Sequence, residues 1–234
     1  VIDAEIDIMK EMGVDIRLKT EVGKDITLDE LRSQGYKAFY VAIGCQGGKI
    51  PDISGAHSDG VTTAVEYLRS ANTGKSKFNG DVVVVGGGNV AIDAARVSAR
   101  SGAKSVTMLC LETEDIMPAS KEEVDEARED GVVINCGWGP QKIIVENGKA
   151  KSVVFKKCVS VYGENGKFNP VYDDNDTINV DVDRVIFAIG QSVEWGELLK
   201  DSKVEFGRGN GPIADPLTYQ TAQEDIFVGG DVYT

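Results

Sequence analysis

The chain has 234 residues, which is enough for one large domain or two modest ones. Its formal net charge of −13 argues against nucleic acid and anionic membrane surfaces as partners, because both attract basic proteins. No apolar stretch approaches transmembrane length and no signal peptide precedes the first residue, so we expect a cytoplasmic protein without a membrane partner.

The cysteines are scattered along the chain and form no C-x-x-C pair. The four are Cys45, Cys110, Cys136 and Cys158. This spacing predicts reduced, mostly buried thiols of a cytoplasmic protein, and neither a disulfide framework nor a metal site. The single histidine, His57, lies among glycine and polar residues and is interpreted as a loop residue.

The first part of the chain combines helix signals with one short predicted strand. Residues 1–12 carry apolar side chains at helical spacing, and residues 14–18 are typical of a strand. Thr27 followed by Glu30 predicts a capping box at the start of the next helix. Because the chain begins without methionine inside a helical pattern and stops just after Gly-Gly-Asp, we expect a fragment of a longer polypeptide.

Two apolar runs that end in Ala-Ile-Gly, residues 38–44 and 185–190, stand on either side of a glycine triplet. Apolar runs of this length bounded by glycine predict parallel strands that are covered on both faces. Their arrangement predicts a nucleotide domain inserted into another domain. Gly44 and Gly190, which end the two runs, are candidate nucleotide-lining residues, and the alternative is that both are ordinary turns.

The glycine triplet follows a predicted buried strand, residues 81–85, and continues with the spacing G-x-G-x-x-A. In this pattern Gly86 permits a tight turn, Gly88 lets a pyrophosphate approach the backbone, and Ala91 allows the next helix to pack closely. The N-terminus of that helix offers N–H groups to phosphate. We therefore predict that the following loop residues bind a dinucleotide: Gly86, Gly87, Gly88, Asn89, Val90 and Ala91. For Asn89, the alternative is a helix cap.

The elements around this loop alternate between strand and helix. Residues 45–61 are rich in turn residues, residues 63–71 predict a helix, and residues 72–80 form a polar linker. After the loop, residues 105–110 and 132–134 predict two more strands. Between them, Ser120 and Glu123 predict a second capping box on a helix that ends near Gly131. Arg96 is interpreted as a solvated charge on the helix after the glycine loop.

An antiparallel pattern precedes the last strand. Residues 142–145 and 152–155 predict two strands joined by a hairpin turn at Asn147-Gly148. Residues 159–162 extend the second strand, and residues 180–182 return after a polar loop. The predicted fold is α/β: a Rossmann-like parallel sheet with an antiparallel β-meander insert, plus parts of a second FAD-type dinucleotide domain.

These motifs resemble the two-dinucleotide-domain flavoproteins related to pyridine nucleotide-disulfide reductases, and within them the small (β) subunit of glutamate synthase and its relatives. The resemblance depends on residues 86–91, 117–131, 187–191 and 220–231. It implies that residues 62–193 form the NAD(P)H-binding domain, while residues 1–61 and 194–234 are parts of the FAD-binding domain.

The resemblance also implies a flavin site near the end of the chain. Gly230 and Asp231 would belong to it, with the Asp231 carboxylate on the flavin ribitol; the alternative for Asp231 is a simple turn residue. The flavin pyrophosphate loop of the family and the iron–sulfur cysteine clusters of relatives do not occur in this sequence. We therefore expect the chain to purify with little or no bound FAD.

The function implied by the resemblance is electron input to a flavin oxidoreductase. A hydride would pass from NAD(P)H to FAD, and electrons would pass on to iron–sulfur centres and a larger partner subunit. The lack of a C-x-x-C pair argues against dithiol-disulfide reduction. Two alternatives stay open: an NAD(H)-binding or regulatory module without turnover, and a ferredoxin–NAD(P) reductase-type subunit.

Glu112 predicts which nicotinamide nucleotide is preferred. It follows the second strand, where a Rossmann acid meets the adenosine ribose. Relatives that use NADPH typically carry two arginines where this chain has Leu111 and Glu112. A carboxylate accepts hydrogen bonds from a free 2′-hydroxyl and repels a 2′-phosphate, so we expect NADH to be preferred. The alternative is that Glu112 faces solvent and Thr113, Lys121 or a mobile loop residue binds the phosphate.

Overall fold

The computed structural model describes residues 2–74 and 79–233, so residues 75–78 of the predicted linker lie outside the described residues. The chain divides into two compact units. Unit 1 consists of Val1–Cys45 and Val193–Thr234, and unit 2 of Gln46–Ser192. Residues 46–61, which the resemblance assigns to the FAD-binding domain, lie in unit 2.

Unit 2 contains most of the helices and strands, and unit 1 contributes elements at both ends of the chain. Unit 1 begins with α1 (Ile2–Glu11), α2 (Leu28–Ser33) and β1 (Phe39–Val41). Unit 2 contains β2 (Gly47–Gly48), β3 (Val61–Thr63), α3 (Ala64–Asn72), β4 (Asp81–Val85), α4 (Asn89–Arg100), β5 (Ser105–Cys110), α5 (Lys121–Glu129), β6 (Val133–Cys136), β7 (Trp138–Glu146), β8 (Lys149–Tyr162), β9 (Phe168–Asp181), β10 (Arg184–Phe187) and β11 (Gln191–Ser192). Unit 1 ends with β12 (Ile226–Val228).

The centre of unit 2 is a five-stranded parallel sheet in the order β3-β10-β4-β5-β6. Alternate residues of its central strands enter two different cores, because successive side chains of a strand point to opposite faces. Val82 and Val84 pack with the helices α3, α4 and α5. Val83 and Val85 pack with the antiparallel sheet. The predicted Rossmann-like sheet is confirmed, with helices on one face and strands on the other.

The antiparallel sheet has the order β7-β8-β9. Asn147 and Gly148 join its first two strands with φ values of 51° and 81°, which is the left-handed backbone of a two-residue hairpin turn. The predicted meander is thus confirmed, but its polar loop is shorter than predicted. Residues 168–181 form β9, because pairing with β8 satisfies their backbone groups while many of their polar side chains stay in solvent.

Unit 1 has a small core around Leu28, Ile226 and Val228, with β1 and β12 paired in parallel. The capping box is confirmed: the Glu30 N–H donates to the Thr27 hydroxyl, and the Thr27 N–H donates to the Glu30 carboxylate at 2.8 Å. The predicted strand at residues 14–18 is wrong. Its apolar side chains are exposed and no neighbouring strand pairs with it among the described residues, so nothing stabilises an extended ladder there.

Within the described residues, no helix has both the length and the apolar character that a bilayer crossing requires.

Candidate functional site

The glycine loop connects β4 to α4 at the carboxyl edge of the parallel sheet. Gly86 has a φ of 144°, and a Cβ placed on it would lie 2.4 Å from the carbonyl oxygen of Ala188. Only glycine tolerates both the backbone conformation and this close approach to the end of β10. The tight turn predicted at Gly86 is present.

Gly88 is needed for a different reason, since its backbone is ordinary. It is the N-cap of α4, with a φ of −95°, and no side chain caps the helix there. A Cβ on Gly88 would meet no atom within 4 Å, so the space above it is open. The exposed start of a helix with open space beside it suits a phosphate group, whose negative charge the helix dipole stabilises.

Asn89 is the first residue of α4 and not its cap. Its side-chain oxygen accepts a hydrogen bond of 3.0 Å from the backbone N–H of Ser120. The alternative interpretation of Asn89 as a helix cap is therefore wrong, and its side chain instead ties the glycine loop to the start of α5.

The second capping box is only half formed. Ser120 caps α5 by accepting from the Glu123 N–H at 3.4 Å. Glu123 does not return the bond as predicted, because the Ser120 N–H donates to Asn89 instead, and Oε2 of Glu123 is buried with no hydrogen-bond partner among the described residues. Arg96 also differs from expectation: its guanidinium is mostly buried and is held by Asp130 and Glu126, so it joins α4 to α5.

Glu112 lies against the glycine loop. A Cβ on Gly87 would be 2.8 Å from Glu112 Oε2 and 3.1 Å from the Cβ of Cys110. The carboxylate of Glu112 is half-buried and lines the same cleft as Gly86, Gly87 and Gly88. The side chain therefore does not simply extend into solvent.

Two clefts of unit 2 meet at the glycine loop. The larger has a volume of about 530 Å³ and runs from Gly86–Gly88 past Leu111 and Glu112 to the antiparallel sheet. The smaller, of about 250 Å³, is lined by Asn89, Val90, Gly190 and other residues. Gly88 and Ala188 line both clefts. Ala91, by contrast, is fully buried beneath the loop in the helix-side core, which is the packing role predicted for it.

The larger cleft also contains residues that the sequence patterns did not predict as site residues. Trp138 and Pro140 of β7, and Phe168, Pro170 and Tyr172 of β9, form one side of it. Phe168, Pro170 and Tyr172 recur at every second position of the sequence, and this spacing is typical of a strand with one apolar face. It falls in the segment predicted to be a polar loop.

Two of the scattered cysteines come together beside the site. Cys110 and Cys136 end the neighbouring strands β5 and β6, and their sulfur atoms are 3.7 Å apart. Burial is the main cause that raises the pKa of the Cys110 thiol, so it stays protonated at neutral pH. Cys110 therefore packs in the interior as a buried, protonated thiol.

In unit 1, the candidate nucleotide-lining residue Gly44 and the candidate flavin-site residues Gly230 and Asp231 lie beyond the carboxyl ends of two paired strands. Gly44 follows β1 with a φ of 70°, and Gly230 follows β12 with a φ of 63°. The side chain of Asp231 is exposed, and its carbonyl oxygen accepts from the Cys45 thiol at 2.9 Å. The structure thus brings Gly44, Gly230 and Asp231 to one edge, where ligands of parallel sheets bind.

Comparison with known proteins identifies the family. A sequence model described as pyridine nucleotide-disulphide oxidoreductase matches residues 2–234. The chain belongs to this family. Members of the family bind FAD and NAD(P)H.

Several curated proteins are similar to the chain over nearly its full length. It is 34% identical to the glutamate synthase [NADPH] small chain of Escherichia coli K12, over 97% of this chain and 51% of that protein. It is 33% identical to the NADP(+)-dependent formate dehydrogenase subunit beta of Moorella thermoacetica, over 99% and 33%. It is 32% identical to the NAD-dependent dihydropyrimidine dehydrogenase subunit PreT of Escherichia coli O157:H7, over 99% and 50%. The chain spans a third to about half of the length of these relatives.

Solved structures of such oxidoreductases share the fold. Mycobacterium tuberculosis FprA in complex with NADPH has a TM-score of 0.74 at 14% identity, covering 99% of this chain and 66% of FprA. A FAD-dependent pyridine nucleotide-disulphide oxidoreductase from Desulfovibrio vulgaris has a TM-score of 0.60 at 27% identity, covering 85% and 46%. The predicted fold class is therefore confirmed.

Proposed function

We propose that unit 2 binds NAD(P)H and that the protein is the electron-input part of a flavin oxidoreductase. The observation that carries this proposal is the meeting of two clefts at the glycine loop. A dinucleotide consists of two nucleosides joined by a pyrophosphate, and Gly88 lies where the two clefts join. The open space above Gly88 and the start of α4 suit the pyrophosphate.

The two halves of the nucleotide then occupy different clefts. The adenosine half lies in the larger cleft, with its ribose at Glu112. The nicotinamide half lies in the smaller cleft, among Asn89, Val90 and Gly190. This assignment gives the loop residues Gly86 to Ala91 the binding and packing roles expected from their sequence.

Unit 1 supplies the flavin-side residues in this proposal. Gly44, Gly230 and Asp231 border the FAD site, and the Asp231 carboxylate accepts hydrogen bonds from the ribitol hydroxyls. Bound FAD supplies the hydride acceptor and the means to release single electrons. The residues of the chain bind and orient the two cofactors, and hydride transfer needs no acid–base pair from the protein.

The electrons then leave to iron–sulfur centres or to a larger partner subunit. The similarity to the glutamate synthase small chain and to the formate dehydrogenase beta subunit supports a larger partner subunit, since both names describe subunits of larger enzymes. The four free thiols support a cytoplasmic location, where cysteines stay reduced.

We also propose that NADH is preferred over NADPH. Among the described residues, the larger cleft is lined by two acids, Asp52 and Glu112, and by no lysine or arginine. At an effective dielectric constant near 20, one like-charge contact at about 4 Å costs roughly 4 kcal/mol before screening. A third of that value gives about tenfold discrimination. One relative, PreT, is named as NAD-dependent, so the relatives of this chain are named for NAD as well as for NADPH.

The test is to titrate NADH and NADPH into the wild type, Glu112→Arg and Glu112→Gln. We expect the wild type to bind NADH about tenfold more tightly, Glu112→Gln to lose most of this preference, and Glu112→Arg to reverse it. Glu112→Gln is the matched control, because it removes the charge and keeps the shape. Tighter binding of NADPH by the wild type would overturn the preference, and no binding of either nucleotide would overturn the dinucleotide site.

A second candidate is an NAD(H)-binding or regulatory module without turnover. It is favoured by one observation: both clefts lie wholly within unit 2, so binding does not need the flavin-side residues. The two candidates differ in their absorbance spectrum. A protein reconstituted with FAD whose flavin absorbance bleaches on addition of NADH is an enzyme, whereas NADH binding without bleaching indicates the module.

A further inference from the structure

The missed residues of the larger cleft form a continuous apolar surface, which we call the aromatic wall. It consists of Trp138 and Pro140 on β7 and of Phe168, Pro170 and Tyr172 on β9. The three β9 residues alternate with Asn169 and Val171, which are exposed and do not line the cleft. Because alternate residues of a strand share a face, the wall is one face of the antiparallel sheet.

Two rings of the aromatic wall are already held by neighbours. The Lys157 ammonium lies 4.8 Å from the centre of the Trp138 ring. Tyr172 packs across the backbone of Gly139 together with Leu111, and a Cβ at Gly139 would be 2.5 Å from the Tyr172 ring and 2.7 Å from Leu111. This packing attaches the wall to the turn that carries Glu112.

Phe168 is different, because 64% of its surface is exposed although it lines a cleft. When a ligand covers a large apolar side chain in this position, apolar surface is removed from water, and the free energy of the complex is lowered. The exposed Phe168 ring lines the cleft beside other aromatic side chains, so a flat, uncharged ring that can stack on it is a suitable occupant.

We propose that Phe168 is the stacking platform for the adenine ring of the dinucleotide, with Tyr172 fixing the wall against Leu111. This inference rests on the proposed function, which places the adenosine ribose at Glu112. The adenine then lies next along the same cleft, between the ribose and Phe168 of β9. Stacking on an aromatic side chain contributes about 1–3 kcal/mol per base. Strand β9 thereby contributes to the specificity for the adenine half of the dinucleotide.

The test compares three ligands by calorimetry: NADH, ADP-ribose and reduced nicotinamide mononucleotide. We expect Phe168→Ala to weaken NADH and ADP-ribose by about tenfold and to leave the mononucleotide unchanged, because the mononucleotide has no adenine. Phe168→Tyr should restore the affinity, since it keeps the ring. Val171→Ala is the matched control, because Val171 is on the same strand but on the opposite face, and it should change none of the three.

Each other result counts against the proposal. Wild-type affinity for ADP-ribose in Phe168→Ala would overturn it while leaving the dinucleotide site in place. Equal weakening of all three ligands would show that Phe168 acts on the site as a whole and not on the base. Failure of the wild type to bind either NADH or ADP-ribose would overturn the proposed function and this inference together.

Discussion

At the scale of single residues, the glycine loop contains two glycines that are needed for unrelated reasons. Gly86 is needed by the fold, because its φ is positive and the Ala188 carbonyl lies where a side chain would be. Gly88 is not needed by the fold, because its backbone is ordinary and its side-chain direction is open. In the proposed function, that open space holds the pyrophosphate.

Substitution of these two glycines should therefore separate binding from stability. We expect Gly88→Val to abolish NADH binding while lowering stability by about 1 kcal/mol or less, the scale of an N-cap change. Gly86→Ala should lower stability by about 3 kcal/mol, because strain and overpacking combine. Calorimetric titration and thermal melting measure the two effects. Unchanged NADH affinity in Gly88→Val would contradict the assignment of this loop.

At the scale of elements, the stability of unit 2 depends on contacts between the parallel sheet and the antiparallel sheet. Phe155 of β8 is fully buried between them, in a core with Val153, Val185 and Phe187. Packing of Phe155 also holds the antiparallel sheet, which carries the aromatic wall, against the parallel sheet. Packing at this one position therefore supports both the fold and the proposed adenine platform.

We expect Phe155→Ala to lower the free energy of unfolding of unit 2 by about 3–5 kcal/mol, because it removes a large apolar side chain and leaves a cavity. The control is Phe168→Ala, the same change at an exposed position on the same sheet, which should stay within about 0.5 kcal/mol of wild type. Urea denaturation measures both. A loss of stability below about 1 kcal/mol for Phe155→Ala would mean that the antiparallel sheet does not share a core with the parallel sheet.

Unit 1 has its own inter-element contact, between α2 and the residue before β12. Arg32 donates to both oxygens of Asp225, at 2.6 and 3.1 Å, and the two side chains are mostly buried. The hydrogen bond from Arg32 is the main cause that lowers the pKa of Asp225. A carboxylate with a lowered pKa stabilises the folded state above its ordinary pKa, about 3.9, and loses this effect as the pH falls through the lowered value.

The stability difference between wild type and Asp225→Asn should therefore depend on pH. We expect the variant to be less stable at pH 7, by about 1 kcal/mol, and the difference to shrink as the pH falls below about 4. Glu21→Gln is the control, because the exposed pair of Glu21 and Lys24 should contribute only a few tenths of a kcal/mol. Urea denaturation at pH 7 and below about pH 4 measures the difference in stability. A difference between wild type and Asp225→Asn that stays the same at low pH would contradict the pairing of Asp225 with Arg32.

At the scale of the whole molecule, the two units differ in how the chain builds them. Unit 2 is one continuous segment, whereas unit 1 is made from two segments that are far apart in sequence. The ends of unit 2 are neighbours, because β2 and β11 pair with Ser192 opposite Gly47. Both large cores and both clefts belong to unit 2 alone.

Residues 46–192 should therefore fold and bind NADH without the rest of the chain. We expect the excised segment to unfold cooperatively and to bind NADH within about threefold of the affinity of the full chain, since every residue of the proposed site is present. Circular dichroism melting and calorimetric titration are the measurements. An excised segment that folds but does not bind would show that the site needs unit 1, and Gly88→Val in the same segment is the negative control.

The sequence by itself determined the features that depend on residues close together in the chain. These include the strand, turn and helix of the glycine loop, the Asn147-Gly148 hairpin and the Thr27 cap, because their conformations follow from local sterics and hydrogen bonds. The tertiary structure decided what depends on distant partners. Residues 14–18 have a strand pattern but no strand to pair with among the described residues, and Cys110 meets Cys136 only because β5 and β6 are neighbours. Phe168 lines the cleft of Gly88 and Glu112 only because the antiparallel sheet packs on the parallel one, and local sequence carries no information about that packing.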